Sequence, residues 1–354
     1  MWFESTLWNE IKESDENLSL DNCFMKEDKR LDFIEDLISL NVTKDNYKVL
    51  LELCDYLMIE NCDIIIDRIV DIHDYDYSIL YEFEDFYIQN TTRIIAFDET
   101  TLKEALQLYC FDHVKCYYTY GFSSFWDISK IKCMHCMFYE SKFNGDISRW
   151  NVSNVENMDF MFEGSRFNGD ISKWNVSNVT TMKFMFENSQ FNGDISQWNV
   201  SNVIIMEYMF YKSQFNGDIS QWNVSNAMSM YGMFEKSQFN GDISQWNVSN
   251  VIRMHCMFSN SQFNGDISQW NVSKVMDMHC MFLNSQFNQP ISNWDIKNVK
   301  NMNYMFSDSQ FNQDISSWDV KNVRYMYSMF KNSQFNQDIY SWKLSKNKYS
   351  KLFM

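Results

Sequence analysis

The last two thirds of the chain repeat one 24-residue pattern with almost no slippage. One column of the repeat is phenylalanine, at Phe143, Phe167, Phe191, Phe215, Phe239, Phe263, Phe287, Phe311 and Phe335. A second column is tryptophan, at Trp126, Trp150, Trp174, Trp198, Trp222, Trp246, Trp270, Trp294, Trp318 and Trp342. Such a fixed period predicts a solenoid, because a unit that cannot close a core alone buries its apolar side chains against its neighbours. The pattern therefore favours a binding surface over a catalytic centre.

A single unit contains two kinds of apolar spacing. From Phe143 it reads F-N-G-D-I-S-x-W-N-V-S-N-V-x-x-M-x-x-M-F-x-x-S-x. Ile147, Trp150 and Val152 suit a short strand, with Trp150 and Val152 pointing inward at a period of two. The spacings of three and four from Val155 to Phe162 indicate a helical or 3₁₀ turn. The predicted fold class is α+β: a leucine-rich-repeat-like solenoid with a parallel strand face and helical or 3₁₀ turns on the other face.

The polar columns of the repeat have structural interpretations. Asn144, Asn154 and their equivalents are predicted to bond turn backbone and their copies in adjacent units. Asp146 and its equivalents precede the predicted strand, where a carboxylate can hold free amide groups. The glycine column that starts at Gly145 does not require a positive φ, because its later members are Gln289, Gln313 and Gln337.

Charge divides the chain into two parts. Residues 1–118 carry 27 Asp and Glu against 10 Lys and Arg, whereas residues 119–354 carry 20 of each. The formal net charge of -17 lies entirely in the first part. This distribution argues against nucleic-acid binding and against an anionic membrane surface. We predict an acidic, mainly helical domain at 1–118, a solenoid at 119–345 and a C-terminal tail at 346–354.

The sequence also predicts where the protein resides. Its first residues, MWFESTLWNEIKESDEN, lack the basic and apolar regions of a secretory signal, and the chain has no apolar run of 18 residues. Its nine cysteines are an odd number without the spacing of a small disulfide-linked domain. We therefore expect a protein of the reducing cytoplasm without a membrane span.

The repeat resembles the BspA-type leucine-rich repeat family. The resemblance rests on FNGDISQWNVSNV followed by M-x-x-M-F, which drifts to FNQDISSWDVKNV, and it covers about 120–342. It implies a leucine-rich repeat solenoid and, for many members, a cell-surface role in adhesion or host contact. This chain lacks the signal peptide or lipoprotein cysteine of surface members, so a surface adhesin is the alternative function and not the first one.

A second resemblance lies upstream. The segment FIEDLISLNVTKDNYKVLLELCDYLMIENCDIIIDRIV, at about 33–70, is similar to the second half of a BTB/POZ domain, with Leu53 and Leu57 on helical core spacings. The resemblance implies a ubiquitin-ligase substrate adaptor, in which this module contacts a cullin-type ligase and the repeats hold the target. The alternative is an unrelated acidic helical cap that shields the first repeat.

The sequence offers little for catalysis or metal binding. No nucleophile elbow, P-loop or H-E-x-x-H is present. His255 and Cys256 should lie beside His279 and Cys280, since residues 24 apart are neighbours, and two Cys with two His are the ligands of many zinc sites. Because consecutive His and Cys side chains usually point in different directions, we predict no metal site. We also predict no cofactor and no catalytic residue, and hence a non-enzymatic protein.

Positions that vary between units are the candidate partner-binding residues. One polar stripe at the open strand position begins with Arg149, Lys173, Gln197, Gln221, Gln245 and Gln269. The pairs that flank the first methionine, such as Ile204 with Ile205 and Ile252 with Arg253, vary more. Tyrosines add aromatic surface near these pairs, at Tyr208, Tyr231, Tyr304, Tyr325 and Tyr327. Exposed aromatic positions are plausible contact sites, although drift on an idle face gives the same pattern.

Overall fold

The computed structural model describes residues 95–121 and 123–354. The chain divides into two compact units, Met1–Ile94 and Ile95–Met354. The predicted BTB-like module at 33–70, with Leu53 and Leu57, lies outside the described residues. So does most of the acidic domain that we predicted at 1–118.

Helices occur at both ends of the second unit. Helix α1 spans Glu99–Phe111, α2 spans His113–Tyr120, and α3 spans Lys346–Ser350. Single 3₁₀ turns lie at Ser123–Phe125 and Tyr340–Trp342. Helix α1 begins where it does because the Asp98 carboxylate accepts from the backbone of Thr100 and Thr101. No helix in the described part of the chain is long and apolar enough to cross a membrane.

The repeats between these helices join one another by parallel backbone contacts. Isolated parallel bridges link residues 24 apart, from Cys133 with Asn157 to Asn301 with Tyr325. Each bridge is extended by N–H groups that donate to the next unit, as Phe160 does to Lys183 at 2.7 Å and Phe162 does to Met185 at 2.9 Å. The units therefore stack in register, and the ladder runs through residues 156–164 and their equivalents.

The ladder does not lie where the alternation of apolar residues placed the strand. Ile147 accepts from the backbone N–H of Trp150 at 3.1 Å, and Val152 accepts from that of Val155 at 2.9 Å, so this segment is a pair of turns. Neighbouring units are instead linked here by side chains: the indole Nε1 of Trp174 donates to the Ile147 carbonyl at 3.0 Å. Because the tryptophan side chain makes the hydrogen bond between units, the backbone of this segment does not have to pair with its neighbour and can form turns. The predicted solenoid class stays a prediction, because the described residues form no extended strand or sheet.

The core consists of ladders of identical side chains. From Phe167 to Phe335, successive rings of the Phe143 column lie 6.2–6.5 Å apart, and those of the Phe162 column, which begins at Phe138, lie 5.0–5.9 Å apart. From Trp126 to Trp318 the tryptophans are 3% exposed. Burial of a large aromatic side chain in each ladder of every unit is the main source of stability.

The predicted roles of the polar columns are confirmed. The Asn144 side chain accepts from the backbone N–H of Asn168 in the next unit, and the Asn154 amide donates to the Ser129 carbonyl in the previous one. The Asp146 carboxylate accepts from the backbone N–H of Ser148 at 2.8 Å. Gly145 has no positive φ; its missing side chain makes room for the Phe143 ring, which an added Cβ would approach to 2.9 Å.

Both ends of the stack are covered. At the start, Tyr109 of α1 packs 4.4 Å from the Phe143 ring, and Phe97 packs 5.0 Å from Trp126. At the other end, the Leu352 carbonyl accepts from Phe330 in the way that a further unit would, and the Leu352 side chain is fully buried. The segment 346–354, predicted as a tail, thus closes the last unit. Capped ends are a general requirement of stacked repeats, whose terminal units otherwise expose apolar surface.

Candidate functional site

Differences between units gather beside the backbone ladder. We call the variable face the set formed by residues 156, 157, 159 and 160 and their equivalents at 24-residue intervals. Position 160 is one example, because its residue type changes from unit to unit: Phe160, Phe184, Tyr208, Gly232, Cys256, Cys280, Tyr304 and Ser328. Met158, which lies between these positions, is a fully buried core residue and recurs unchanged up to Met326. The backbone of the ladder is therefore the same in each unit, whereas the side chains at these positions differ between units.

Four consecutive units place an apolar residue on the surface at the equivalent of position 156. The apolar stripe consists of Ile204, Met228, Ile252 and Met276. Ile204, Met228 and Met276 are 40%, 47% and 50% exposed. Backbone bonds join these residues directly, since each N–H donates to the carbonyl of the preceding member at 2.9–3.0 Å. The stripe is therefore continuous across four units.

The ends of the apolar stripe differ in charge. The same column contains Glu156 and Thr180 before the stripe and Lys300 and Arg324 after it. Glu156, Thr180 and Arg324 are exposed, and Lys300 is half-buried. A ligand lying along the stripe would meet a carboxylate near one end and two cations at the other.

Ionic contacts join the columns of residues 157 and 159. Glu207 lies 3.3 Å from the Lys183 ammonium and 3.7 Å from the Arg253 guanidinium, and it accepts from the Ser229 hydroxyl at 2.7 Å. The three partners come from three different units. This network fixes the side chains that border the start of the apolar stripe.

Aromatic side chains at position 160 and its equivalents stack along the variable face. Phe160, Phe184 and Tyr208 stack with centroids 4.8 Å apart at each step. Tyr208 then bonds the hydroxyl of Tyr231, and Tyr231 stacks on His255 at 3.6 Å. Burial, together with the bond to Tyr231, raises the pKa of the Tyr208 phenol, so the Tyr208 hydroxyl stays protonated.

The backbone at position 160 is left-handed in every described unit. Phe160, Phe184 and Tyr208 have φ of 58°, 54° and 54°, a region that bulky residues rarely adopt. Their N–H groups donate to the next unit, which holds them there. Nothing in the residue types signals this conformation, and sequence reasoning missed it.

A sulfur and imidazole cluster lies further along the same face. The ligand atoms of Cys256, His279 and Cys280 all lie within 4.8 Å of one another. We expected consecutive His and Cys side chains to diverge, and for His279 and Cys280 this expectation is wrong. Cys280 has a φ of 55°, and the left-handed residue breaks the usual alternation of side-chain directions.

The thiols of this cluster share hydrogen bonds. Bonds from Cys256 and His279 lower the pKa of the Cys280 thiol to about 5, although burial opposes the shift. The bond to Cys280, with burial, raises the pKa of the Cys256 thiol. The bond to Cys280 raises the pKa of His279. The Cys280 sulfur is thus the acceptor in this hydrogen-bonded cluster.

The predicted polar stripe lies in a different part of the unit. Arg149 and its equivalents, Lys173, Gln197, Gln221, Gln245 and Gln269, are exposed in the turn that follows Ile147. Gln197 donates to the hydroxyl of its own neighbour Ser196 at 3.2 Å, and Arg149 lies over the Phe125 ring at 5.2 Å. The stripe is regular and polar, which is the character of a solvated edge.

The predicted tyrosines do lie on the variable face. Tyr208 and Tyr231 meet there, as described above. Tyr304 packs edge-on against Tyr327 at 5.7 Å, and Tyr325, at the last bridge, is 58% exposed. Two members of the apolar stripe, Ile204 and Ile252, were among the variable pairs. The stripe as a continuous feature was missed, because single Met residues in this repeat are usually core residues.

Comparison with known proteins identifies the repeats. Three overlapping segments, 109–214, 188–286 and 259–354, match the family described as "Mycoplasma protein of unknown function, DUF285". The chain belongs to the DUF285 family. Together the matches cover more than half of it and contain the whole predicted repeat region, so the prediction of a BspA-like repeat family is confirmed. None of the three matches reaches the segment that resembles a BTB/POZ domain. No curated protein and no solved structure matches the chain.

Proposed function

We propose that this DUF285 protein is a non-enzymatic binding protein whose apolar stripe contacts a protein partner. One observation carries the proposal: exposed Ile204, Met228 and Met276 form, with half-buried Ile252, a continuous row beside a core that is already complete without them. Apolar surface arranged in a row across several units favours an interaction site, whereas scattered single exposures are normal.

The spacing of the stripe favours a helical partner. Bonded units place equivalent residues about 4.8 Å apart. A helix rises about 5.4 Å per turn, so a helix along the stripe would present one side chain to each of the four units. An extended segment, with about 6.6 Å between side chains on one face, would lose register within the stripe. We therefore propose an amphipathic helix as the bound element.

The charges around the stripe set the direction of that helix. Lys300 and Arg324 follow Met276 in the same column, so an acidic group on the partner is favoured at this end. Glu156 favours a cation near the opposite end. Such complementary charge mainly fixes orientation and the rate of association.

A site-specific photocrosslinker tests the proposal. The crosslinking residue is placed at Ile252 in the stripe or, as a control, at Gln245, an exposed position of the polar stripe seven residues earlier in the same unit. In cells that express the protein, we expect a discrete protein adduct from Ile252 that Met228→Glu abolishes. Equal adducts from both positions, or none from Ile252, would contradict the proposal.

The adaptor role implied by the BTB/POZ resemblance belongs to a separate part of the chain. Cullin-type ligase contact would depend on residues 33–70, with Leu53 and Leu57, outside the described residues. The photocrosslinking experiment addresses the stripe alone, and its outcome does not depend on that module.

A further inference from the structure

We propose that Cys256, His279 and Cys280 form a binding site for a thiophilic metal ion such as Zn²⁺. In the described residues these three side chains are the one group of His, Cys, Asp or Glu ligands that converges closely enough to hold an ion. Cys256 comes from one unit and the other two ligands from the next. The ion would therefore clamp neighbouring units together at the variable face.

The distances fit such an ion. A tetrahedral zinc site has metal–sulfur and metal–nitrogen distances of about 2.3 and 2.0–2.1 Å, which separate its ligand atoms by roughly 3.5–3.8 Å. The three ligand atoms here already lie within 4.8 Å of one another. Small side-chain rotations close the remaining gap, and a water molecule would complete the four-coordinate site.

The types of ligand atom, sulfur and nitrogen, determine which class of metal the site would bind. Two sulfurs and one imidazole suit zinc or monovalent copper and disfavour magnesium and calcium, which prefer oxygen. Binding two thiolates and a neutral imidazole displaces the thiol protons of Cys256 and Cys280 to solvent, together with any proton on the His279 nitrogen that binds. Zn²⁺ with two thiolates is then a neutral unit, which lowers the cost of its partial burial.

The surroundings favour a cation. The carboxylates of Glu235 and Asp277 lie close enough to act electrostatically on the Cys256 thiol. Cys280 is 8% exposed, whereas Cys256 and His279 are half-buried and leave the site open on one side. The site is thus open to solvent on one side and has two carboxylates nearby.

Equivalent positions in other units show which substitutions the backbone accommodates at the proposed metal ligands. Ser328 stands at the position of Cys256 and Cys280 and is fully buried, and Asn303 stands at the position of His279. Cys256→Ser, Cys280→Ser and His279→Asn therefore introduce residues that this backbone already accommodates. Cys133 and Cys136, the C-x-x-C of the first repeat, lie on the same face and serve as the control pair.

Zinc titration of the reduced full-length protein tests the site. We expect the variant with Cys256→Ser and Cys280→Ser to bind one equivalent of Zn²⁺ fewer than the wild type, and His279→Asn to weaken binding. The variant with Cys133→Ser and Cys136→Ser should bind as the wild type does. Added Zn²⁺ should raise the thermal midpoint of the wild type more than that of the Cys256 and Cys280 variant.

Substitution with Co²⁺ provides a spectroscopic check. The wild type and the control pair should show thiolate-to-cobalt charge-transfer absorption at one extra equivalent compared with the Cys256 and Cys280 variant. Equal zinc and cobalt binding by all variants would overturn the proposal. So would a wild-type protein that binds no metal and loses two hydrogens in a disulfide between Cys256 and Cys280 when it is treated with peroxide.

Discussion

The constant columns and the variable face are carried by the same 24 residues but follow different rules. In the unit from Phe215 to Gln238, Trp222 is 3% exposed and Phe234 is fully buried, whereas Met228 is 47% exposed. Each core ring stacks on an identical ring above and below, so a change in one unit disturbs two neighbours. On the variable face backbone hydrogen bonds join the units in every repeat, so the side chains can differ from one unit to the next. One repeat can therefore carry its stability in the core columns and the proposed partner binding on the variable face.

The largest expected effect is in the core of this unit. Phe234→Ala removes a fully buried ring that stacks on Phe210 and Phe258, and we expect it to lower the free energy of unfolding by about 3–5 kcal/mol. Chemical denaturation measures the loss. Gln221→Ala, an exposed change in the same unit, is the control; a similar loss for both would remove the distinction between core and surface.

A smaller effect is expected where the variable face itself constrains the backbone. Gly232 has a φ of 59°, and a Cβ there would clash with the Tyr208 ring. Gly232→Ala should therefore cost about 1–3 kcal/mol and separate Tyr208 from Tyr231. Tyr208→Ala removes this ring, so Gly232→Ala introduced into the Tyr208→Ala variant has the same backbone conformation without the clash and serves as the comparison in thermal unfolding. If Gly232→Ala costs the same stability with and without the Tyr208 ring, the clash with Tyr208 is not the cause.

The asparagine ladder should contribute less per residue. The Asn216 side chain accepts from the backbone N–H of Asn240 at 2.9 Å, so Asn216→Ala leaves this exposed N–H to water. We expect a loss of about 1 kcal/mol in the free energy of unfolding. Asn216→Asp keeps the acceptor and should retain most of the stability, which distinguishes the hydrogen bond from the volume of the side chain.

The smallest effect concerns pH. Burial, followed by the neighbouring Glu187 and Glu140, raises the pKa of Glu163 from its ordinary 4.5 to about 7. Between these values the folded chain keeps a proton that the unfolded chain has released, so this contribution to stability falls as pH rises from about 4.5 to 7. Glu163→Gln should remove the contribution, and the variant should gain stability over the wild type across this window. The effect is limited because water screens a partly exposed carboxyl group.

A control of opposite sign is available for the pH experiment. Hydrogen bonds from Ser220 lower the pKa of Asp218 below its ordinary value of 3.8. Its contribution is present above that value and is lost as pH falls below it, so Asp218→Asn should matter near neutral pH and not at strongly acidic pH. Parallel pH profiles for the Glu163 and Asp218 variants would contradict the assigned causes.

The sequence predicts the features that recur in every unit better than the features that differ between units. The core columns, the Asn and Asp bonds and the absence of a positive φ at Gly145 follow from residue types that recur at one spacing. The position of the backbone ladder does not follow, because the bond from the Trp174 indole to Ile147 replaces backbone pairing where apolar alternation predicted a strand. An alternation of apolar residues indicates which residues are buried, and turns as well as strands can bury alternate residues.

The candidate sites were harder to predict for the same reason. Met228 and Met276 resemble core methionines in sequence, and only their exposure shows that they continue the row begun at the variable position Ile204. Likewise, the 24-residue spacing places Cys256 beside His279 and Cys280, but it does not show that their side chains converge. The convergence depends on the left-handed φ of Cys280, which is not encoded by a glycine or asparagine. Features that depend on backbone conformation at variable positions require the structure.

One measurement tests the separation of binding from stability most directly. It compares the wild type with a variant that carries Ile204→Gln, Met228→Gln, Ile252→Gln and Met276→Gln, in denaturant unfolding and in capture of the partner identified by crosslinking. We predict that the variant unfolds with a smaller loss of stability than Phe234→Ala alone and no longer captures the partner. A variant that unfolds like Phe234→Ala, or that captures the partner as well as the wild type, would contradict the account.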